Sequence, residues 1–426
     1  MKHIVRRRVT AAILAVLGGV MAACAGGSAQ GATAGSTAPE ESGQIMDGPG
    51  MMDPAAVSEN TMADSFRHLT ALKGDFMYSP YSLKNAFRIL YPAADGESKR
   101  EVDLLFGFGD GEAEKMAAVD AEMVFKDGVG VKSVNKAFVN DRGMESGLIH
   151  PEVLGTEDVD LRTFGSGTVS EINGWVEENT EHRIKNLLAP GTVTEDTRAV
   201  LVNCLYFLLH WDANEYQMLW NGEKEVPAFS GEAFLSNIKE DGPVDILRLP
   251  YDPVDAESEK EHLYSMVVIC DREDSTEDKV DLWMSNKSDK ELLAWADFSD
   301  YGYLEGYTDG EYIVPCFEME TKTSLRDVLM EQGLEEPFNS QTHDFDRFAP
   351  VYADDVIQGT FIRCDEKGTE AAAATAIALN ETAMLEEPVV KRVVADSTFA
   401  FLIVDETAHE ILFMGRVSDP KYEKKE

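Results

Sequence analysis

The chain has 426 residues, with 38 Lys+Arg against 78 Asp+Glu for a formal charge of −40, and 44% of its residues are hydrophobic. That apolar share excludes a chain disordered throughout and is enough for one large domain or two to three ordinary ones. The charge argues against nucleic acid and against anionic bilayer surfaces as partners, because each added carboxylate repels a polyanion instead of releasing its counterions.

Residues 1–24 hold a basic start (Lys2, Arg6, Arg7, Arg8), an apolar stretch from Val9 to Met21, and the small residues Ala22 and Ala23 ahead of Cys24. This is the three-part layout of a secretory signal, and the apolar stretch is too short for a permanent membrane-spanning helix. Residues 1–23 are therefore expected to be the signal peptide. Met21-Ala22-Ala23-Cys24 also resembles the lipobox of bacterial lipoproteins, with Met where Leu is usual, which implies lipidation of Cys24 as the mature N-terminus. Residues 24–57 are rich in Gly, Ala, Ser, Thr and Pro, cannot bury enough surface to offset their ordering entropy, and read as a flexible linker. The expected location is extracytoplasmic: a cell-surface lipoprotein touching the membrane only through the lipid on Cys24, or a secreted protein.

Further along, Ser58–Leu72 carries apolar residues at helical spacing (Met62, Phe66, Leu69, Leu72), and Ser79-Pro80 opens a second helical run through Leu90. A third helix is expected over Val169–Leu188, with Ser170 as N-cap and the stripe Ile172, Trp175, Val176, Ile184, Leu187. Strands are expected at Val134–Asn140, Arg198–Leu209, Ser265–Cys270, Glu311–Met319, Val356–Arg363, Thr398–Val404 and Glu410–Val417. Helices and strands segregate rather than alternate, so the fold class is α+β. The acidic stretches Asp252–Glu261 and Asp271–Asp281 read as solvated loops without a function.

Catalytic and metal motifs are missing from the sequence: there is no GxSxG, HExxH, GxxxxGK[ST] or GxGxxG, and the histidines are scattered. Beyond Cys24 the cysteines (Cys204, Cys270, Cys316, Cys364) lie far apart in apolar runs, which suits buried thiols better than a metal site, though an exported setting permits disulfides. No enzyme activity, cofactor or metal is expected.

Glu366–Leu379 reads EKGTEAAAATAIAL. Its Ala content favours helix by propensity, whereas at period two neither face carries a large residue near its start, so an extended segment here could slide between two strands. An exposed helix or Ala-rich linker remains the alternative on this segment alone.

The surrounding residues bring in a resemblance. Glu366-Lys367-Gly368-Thr369-Glu370-Ala371-Ala372-Ala373 resembles the hinge of the serpins, and Phe413–Val417 (FMGRV) followed by Pro420 resembles their C-terminal strand. Ser79-Pro80-Tyr81-Ser82-Leu83, Ile172–Leu188, Thr197–Phe207 with Trp211, and Phe317–Phe338 follow the same family in order, from about Ser58 to Pro420. The resemblance implies a serpin domain over residues 58–421, with a large central mixed sheet, about eight to nine helices and a reactive loop at about 366–397. It also implies an irreversible inhibitor, acting as a monomer, that traps a serine protease as the acyl-enzyme when the cut loop inserts into the sheet.

Residue by residue, the hinge would be Glu366, Gly368, Thr369, Glu370, Ala371, Ala372, Ala373 and Ala374. The sheet-opening cluster would be Ser79, Ser82, Asn203 and Gln358 with Trp211, where Gln358 stands in place of the usual histidine and removes any imidazole pH switch. The family spacing of about sixteen residues beyond Glu366, a travel of some ~50 Å at ~3.3 Å per strand residue, puts the bait bond at Thr382–Ala383. The neighbouring bonds from Glu381 to Leu385 remain alternatives. Small residues there suit an elastase-like or subtilisin-like target, and a papain-like cysteine protease is a further candidate. A non-inhibitory serpin, acting as a ligand carrier or interaction protein, is the competing reading. Family alignment sets Cys204 and Cys364 on neighbouring strands with a five-residue offset, roughly 16 Å, beyond disulfide reach, so both are expected as free thiols.

Overall fold

A computed structural model describes residues 60–142, 159–211, 214–254, 262–272, 279–299, 304–341, 353–369 and 389–423. Among these residues there are eight α-helices: α1 (Thr61–Lys73), α2 (Pro80–Leu90), α3 (Gly96–Phe106), α4 (Glu112–Glu122), α5 (Thr168–Asn179), α6 (Lys279–Ser285), α7 (Asp289–Ala296) and α8 (Arg326–Glu331). The strands are β1 (Phe76–Tyr78), β2 (Phe125–Lys126), β3 (Val129–Asn140), β4 (Val159–Arg162), β5 (Ala199–His210), β6 (Glu215–Trp220), β7 (Glu225–Ala233), β8 (Ile238–Asp241) and β9 (Val244–Pro250). After them come β10 (Tyr264–Asp271), β11 (Asp309–Pro315), β12 (Phe317–Ser324), β13 (Asp355–Asp365), β14 (Gly368–Thr369), β15 (Val390–Val394), β16 (Phe399–Asp405) and β17 (Glu410–Val417). The class is α+β, as the segregated pattern implies.

Three sheets organise these strands. The large sheet runs β12-β13-β14-β5-β3-β2, with β4 added beside β3. An antiparallel sheet runs β1-β17-β16-β10-β9-β8, and a third, four-stranded sheet runs β15-β11-β7-β6. β5 shows why the large sheet is apolar throughout. Its inward residues Leu201, Leu205, Phe207 and Leu209 join the main core, while Val200, Val202 and Cys204 face a second core under α5. A strand covered on both faces reads as a continuous apolar run rather than an alternating one.

Local chemistry sets the ends of the helices. In α2, the Ser79 hydroxyl accepts from the Ser82 N–H at 2.9 Å and Pro80 occupies the first turn, where its missing N–H costs nothing. The helix over the large sheet differs from expectation: it spans 168–179 rather than 169–188, and Ser170 lies inside it, not at its cap. At its end the Thr180 hydroxyl donates to the Val176 carbonyl at 2.8 Å, and Glu181 and His182 then take positive φ of 49° and 59°, which an α-helix does not tolerate. Ile184 and Leu187 still bury against the sheet, but from a non-helical tail. Gly359 of β13 makes room for that tail: a Cβ there would lie 2.8 Å from Leu187 Cδ1.

Two other boundaries move. The single strand expected at Glu311–Met319 is two strands, β11 and β12, in different sheets, with the turn at Pro315-Cys316 held by the Cys316 N–H donating to the Pro227 carbonyl at 2.8 Å. Of the segment expected as loop at 366–397, residues 390–394 are β15, parallel to β11. The second acidic stretch also runs into α6, so its last residues are helix and not loop. No helix of the described residues is long and apolar enough to cross a membrane.

Candidate functional site

The site is the seam between β5 and β13. Over its lower part the two strands pair in parallel, from Asp355 opposite Val200 to Gly359 opposite Cys204. Under this stretch, four residues from three distant parts of the chain share one hydrogen-bond network. Gln358 Oε1 accepts from the Ser79 N–H at 2.7 Å, while its amide donates to the Ser79 carbonyl at 3.0 Å and to Asn203 Oδ1 at 2.7 Å. Asn203 donates in turn to the Ser82 carbonyl and, at 2.8 Å, to Asn135 Oδ1, and the Ser79 hydroxyl donates to the Leu412 carbonyl at 2.5 Å. Ser79, Ser82, Asn203 and Gln358 are thus brought together, each buried. Because an amide both donates and accepts, Gln358 uses both ends here without any titratable group. Asn135 and the Leu412 carbonyl are members that the sequence reading missed.

Above Gly359 and Cys204 the seam changes. Among the described residues, Thr360–Arg363 of β13 and Leu205–Leu208 of β5 have no ladder partners in each other. At the far end β14 sits between the two strands, with Gly368 opposite His210 and Asp365, and Thr369 opposite Leu209 and Cys364. Gly368 is required in that seat: its φ is +144°, and a Cβ would lie 2.4 Å from the Leu209 carbonyl oxygen. Thr369 is 1% exposed, and its hydroxyl lies 2.6 Å from the Tyr251 hydroxyl. Two backbone bonds hold the preceding residues: the Trp211 N–H donates to the Lys367 carbonyl at 3.3 Å, and the Asn214 N–H to the Glu366 carbonyl at 3.2 Å. Trp211 stacks on Tyr251 with centroids 5.0 Å apart and planes 14° apart. Tyr251, at the head of an acidic stretch read as a plain loop, carried no signal in the sequence.

Glu370, Ala371, Ala372, Ala373 and Ala374, the bond Thr382–Ala383, and Cys24 lie outside the described residues. Cys204, Cys270, Cys316 and Cys364 are buried and form no disulfide among the described residues. The register puts Cys364 five residues beyond Gly359, the partner of Cys204, which is the offset expected. Burial pushes the Cys204 thiol up to about 12, against a hydrogen bond from Gly359, and holds the Cys364 thiol well above its ordinary range. Neither supplies a thiolate nucleophile at neutral pH. Among the described residues, no cluster of His, Cys, Asp and Glu could hold a metal ion.

A large mixed sheet with a short strand seated at the top of its central seam, backed by an antiparallel sheet and crossed by α5, is the α+β arrangement that these residues build. The serpin family model (serine protease inhibitor) matches residues 58–420, and the chain belongs to that family. An uncharacterized serpin-like protein of Methanosarcina mazei is 26% identical over 407 residues, covering 87% of this chain and 88% of that protein. Among solved structures, the thermophilic serpin tengpin in its native state matches at a TM-score of 0.69 and 18% identity, covering 88% of this chain and 96% of that one. Human thyroxine-binding globulin matches at a TM-score of 0.66 and 17% identity, covering 87% and 99%. These structural likenesses are of fold. Serpins are generally protease inhibitors rather than catalysts, and some are non-inhibitory.

Proposed function

We propose that this serpin is an exported, irreversible inhibitor of serine proteases that works by covalent trapping. The observation that carries the reading is β14: two residues of the hinge already lie as a strand between β5 and β13, above a stretch where those strands have not paired with each other. A cut loop continuing from Thr369 would complete that sheet, adding main-chain hydrogen bonds to both neighbours. Small side chains from Glu370 to Ala374 would pass without steric blockage. The protease supplies its own serine for the chemistry, with Thr382–Ala383 as the bait bond. Its acyl-enzyme would be carried along the sheet, and distortion of its oxyanion hole would remove the several kcal/mol by which such donors support deacylation. Small residues at the bond favour an elastase-like or subtilisin-like target. The basic, apolar and small segments before Cys24 support export, with the lipid on that cysteine as anchor and residues 24–57 as tether.

The test is incubation with pancreatic elastase, chymotrypsin, trypsin and subtilisin, read by denaturing gel and by the mass of the released C-terminal peptide. A stable high-mass band with a peptide beginning at Ala383 supports trapping and the bait bond together. Loop cleavage with no such band from any protease would transfer the reading to a non-inhibitory carrier or interaction protein.

A further inference from the structure

Cations are scarce in this chain, 38 against 78 acidic residues, yet Arg88, Lys132 and Lys136 line one half-open cavity of ≈ 410 Å³. It lies beside β3, bounded by the end of α2, the end of α4 and α5. Lys132 and Lys136 stand on one face of β3, four residues and ~13 Å of strand apart. Asp120 is the one carboxylate that lines the cavity among the described residues.

Asp120 has no charge to spare. Its Oδ1 accepts from the Tyr81 hydroxyl at 2.7 Å, and its Oδ2 from the Asn85 amide at 2.5 Å and from Arg88 Nη2 at 3.0 Å. That ion pair cancels, and two lysines are left. The Lys136 ammonium lies 5.0 Å over the Trp175 ring and has neither a hydrogen-bond acceptor nor a carboxylate partner among the described residues. Lys132 lies 5.8 Å from the Phe125 ring, and its sole acceptor among those residues is the Asn179 carbonyl at 3.4 Å, near the limit for such a bond. A ring face attracts a cation but is no substitute for an acceptor oxygen. Both lysines, and Ile89, Met123, Phe125 and Trp175 around them, are partly exposed rather than sealed in the core.

The cavity therefore offers two positive charges beside apolar surface. Carboxylates farther away than about 8 Å are screened at physiological salt, so an anion small enough to stay inside meets this local field. A polyanion would extend past the cavity onto the acidic surface and be repelled. We propose that the cavity binds a small amphipathic carboxylate of the medium-chain fatty-acid type, with its head on Lys136, supported by Lys132, and its tail against the apolar groups between them. The volume lies at the small end of the ~300–1,000 Å³ usual for ligand pockets. Binding needs no inhibitory activity, so its failure is distinguishable from failure of the inhibitor reading.

Decanoate is the probe, titrated calorimetrically into the full chain below its micelle concentration, beside decan-1-ol and decylamine, which share its tail and differ in charge. One decanoate site per chain is expected, with decan-1-ol about tenfold weaker and decylamine without measurable binding. Lys136→Met, which keeps an apolar stem and removes the ammonium, should weaken decanoate about tenfold, whereas Lys136→Arg, which keeps the charge, should stay within about threefold. Lys132→Met should weaken it about threefold and remains informative if the first variant does not fold. No decanoate binding, or binding of decan-1-ol or decylamine as tight as that of decanoate, overturns the ligand class. Decanoate binding that both methionine variants leave unchanged overturns the site.

Discussion

Thr369→Arg is the sharpest perturbation of the seam. In the seat, the residue is 1% exposed and its hydroxyl is bonded to that of Tyr251 at 2.6 Å. Arginine there would have to bury a guanidinium where a threonine hydroxyl sits, at an effective cost of several kcal/mol. It would also leave the Tyr251 hydroxyl unpaired, a further penalty of about 1–3 kcal/mol. Together these disfavour seating by at least about 4 kcal/mol, close to a thousandfold in the seated population, since about 1.4 kcal/mol is tenfold. If insertion competes with hydrolysis of the acyl-enzyme, slowing it sends most of the flux to cleaved inhibitor and free protease. The assay is the stoichiometry of inhibition against whichever tested protease the unaltered protein traps, with gels to separate complex from cleaved product. Thr369→Arg should be cleaved as a substrate, whereas the near-isosteric Thr369→Val, which loses only one hydrogen bond, should stay close to one inhibitor per protease. An unchanged stoichiometry in the arginine variant would refute loop insertion through this seam.

Loop cleavage should raise the melting temperature, because the cut segment can then fill the unpaired stretch of the sheet; a cleaved form that melts no higher, measured by calorimetry, supports the carrier reading. None of Cys204, Cys270, Cys316 and Cys364 should react promptly with a thiol reagent in the folded protein, and all four should after denaturation; a mass-mapped Cys204–Cys364 bridge would contradict the register. Burial lifts the Glu101 carboxyl to about 7, against hydrogen bonds from the Glu336 and Glu335 N–H groups. Since the folded state then holds this proton more tightly than the unfolded chain, stability should fall as pH rises from about 4.5 through about 7, by on the order of 1–3 kcal/mol. Glu101→Gln should flatten that part of the melting-temperature profile, and an unchanged slope would exclude Glu101 as its source. Burial lowers the His262 pKa, but hydrogen bonds to Asp405 and Glu122 outweigh it and raise it overall. Its stabilisation is therefore full below the ordinary histidine range and lost as pH rises through the raised value, so His262→Asn should remove a decline in melting temperature on the alkaline side.

Elements whose limits are written locally were legible in the sequence. β17 spans Glu410–Val417 as expected, and α2 begins where Ser79 caps it and Pro80 fixes its first turn. The third helix misled because burial and helicity parted company. Ile184 and Leu187 keep an apolar stripe in phase after Thr180, yet they are pressed to the sheet by a tail with positive φ at Glu181 and His182. A hydrophobic period reports what is covered, and only indirectly the backbone that covers it. α3 gave only a short stripe, Val102, Leu105 and Phe106 in its second half, since Ser98 and Glu101 share its buried side. β6 escaped for the opposite reason: Met218 and Trp220 are on its exposed side, so its alternation points away from a core.

The site divides along the same line. Ser79, Ser82, Asn203 and Gln358 came from residue identities matched to a family; Ser79, Asn203 and Gln358 join through their side chains, whereas Ser82 enters through its backbone N–H and carbonyl. Tyr251 could not be found that way. It meets Thr369 across 118 positions in the chain, and a tyrosine at the mouth of an acidic stretch has no local feature that marks a partner. The unpaired stretch is harder still. Thr360–Arg363 and Leu205–Leu208 have every property of neighbouring strands, and their composition favours pairing. What sets the seam apart is that the pairing stops at Gly359 and Cys204 and that, beyond the unpaired stretch, Gly368, whose missing side chain clears the Leu209 carbonyl, sits with Thr369 at the far end. Sequence shows which strands can pair; a gap kept between two that could is a property of the whole sheet, and it is this gap that the proposed insertion of a cut loop would fill.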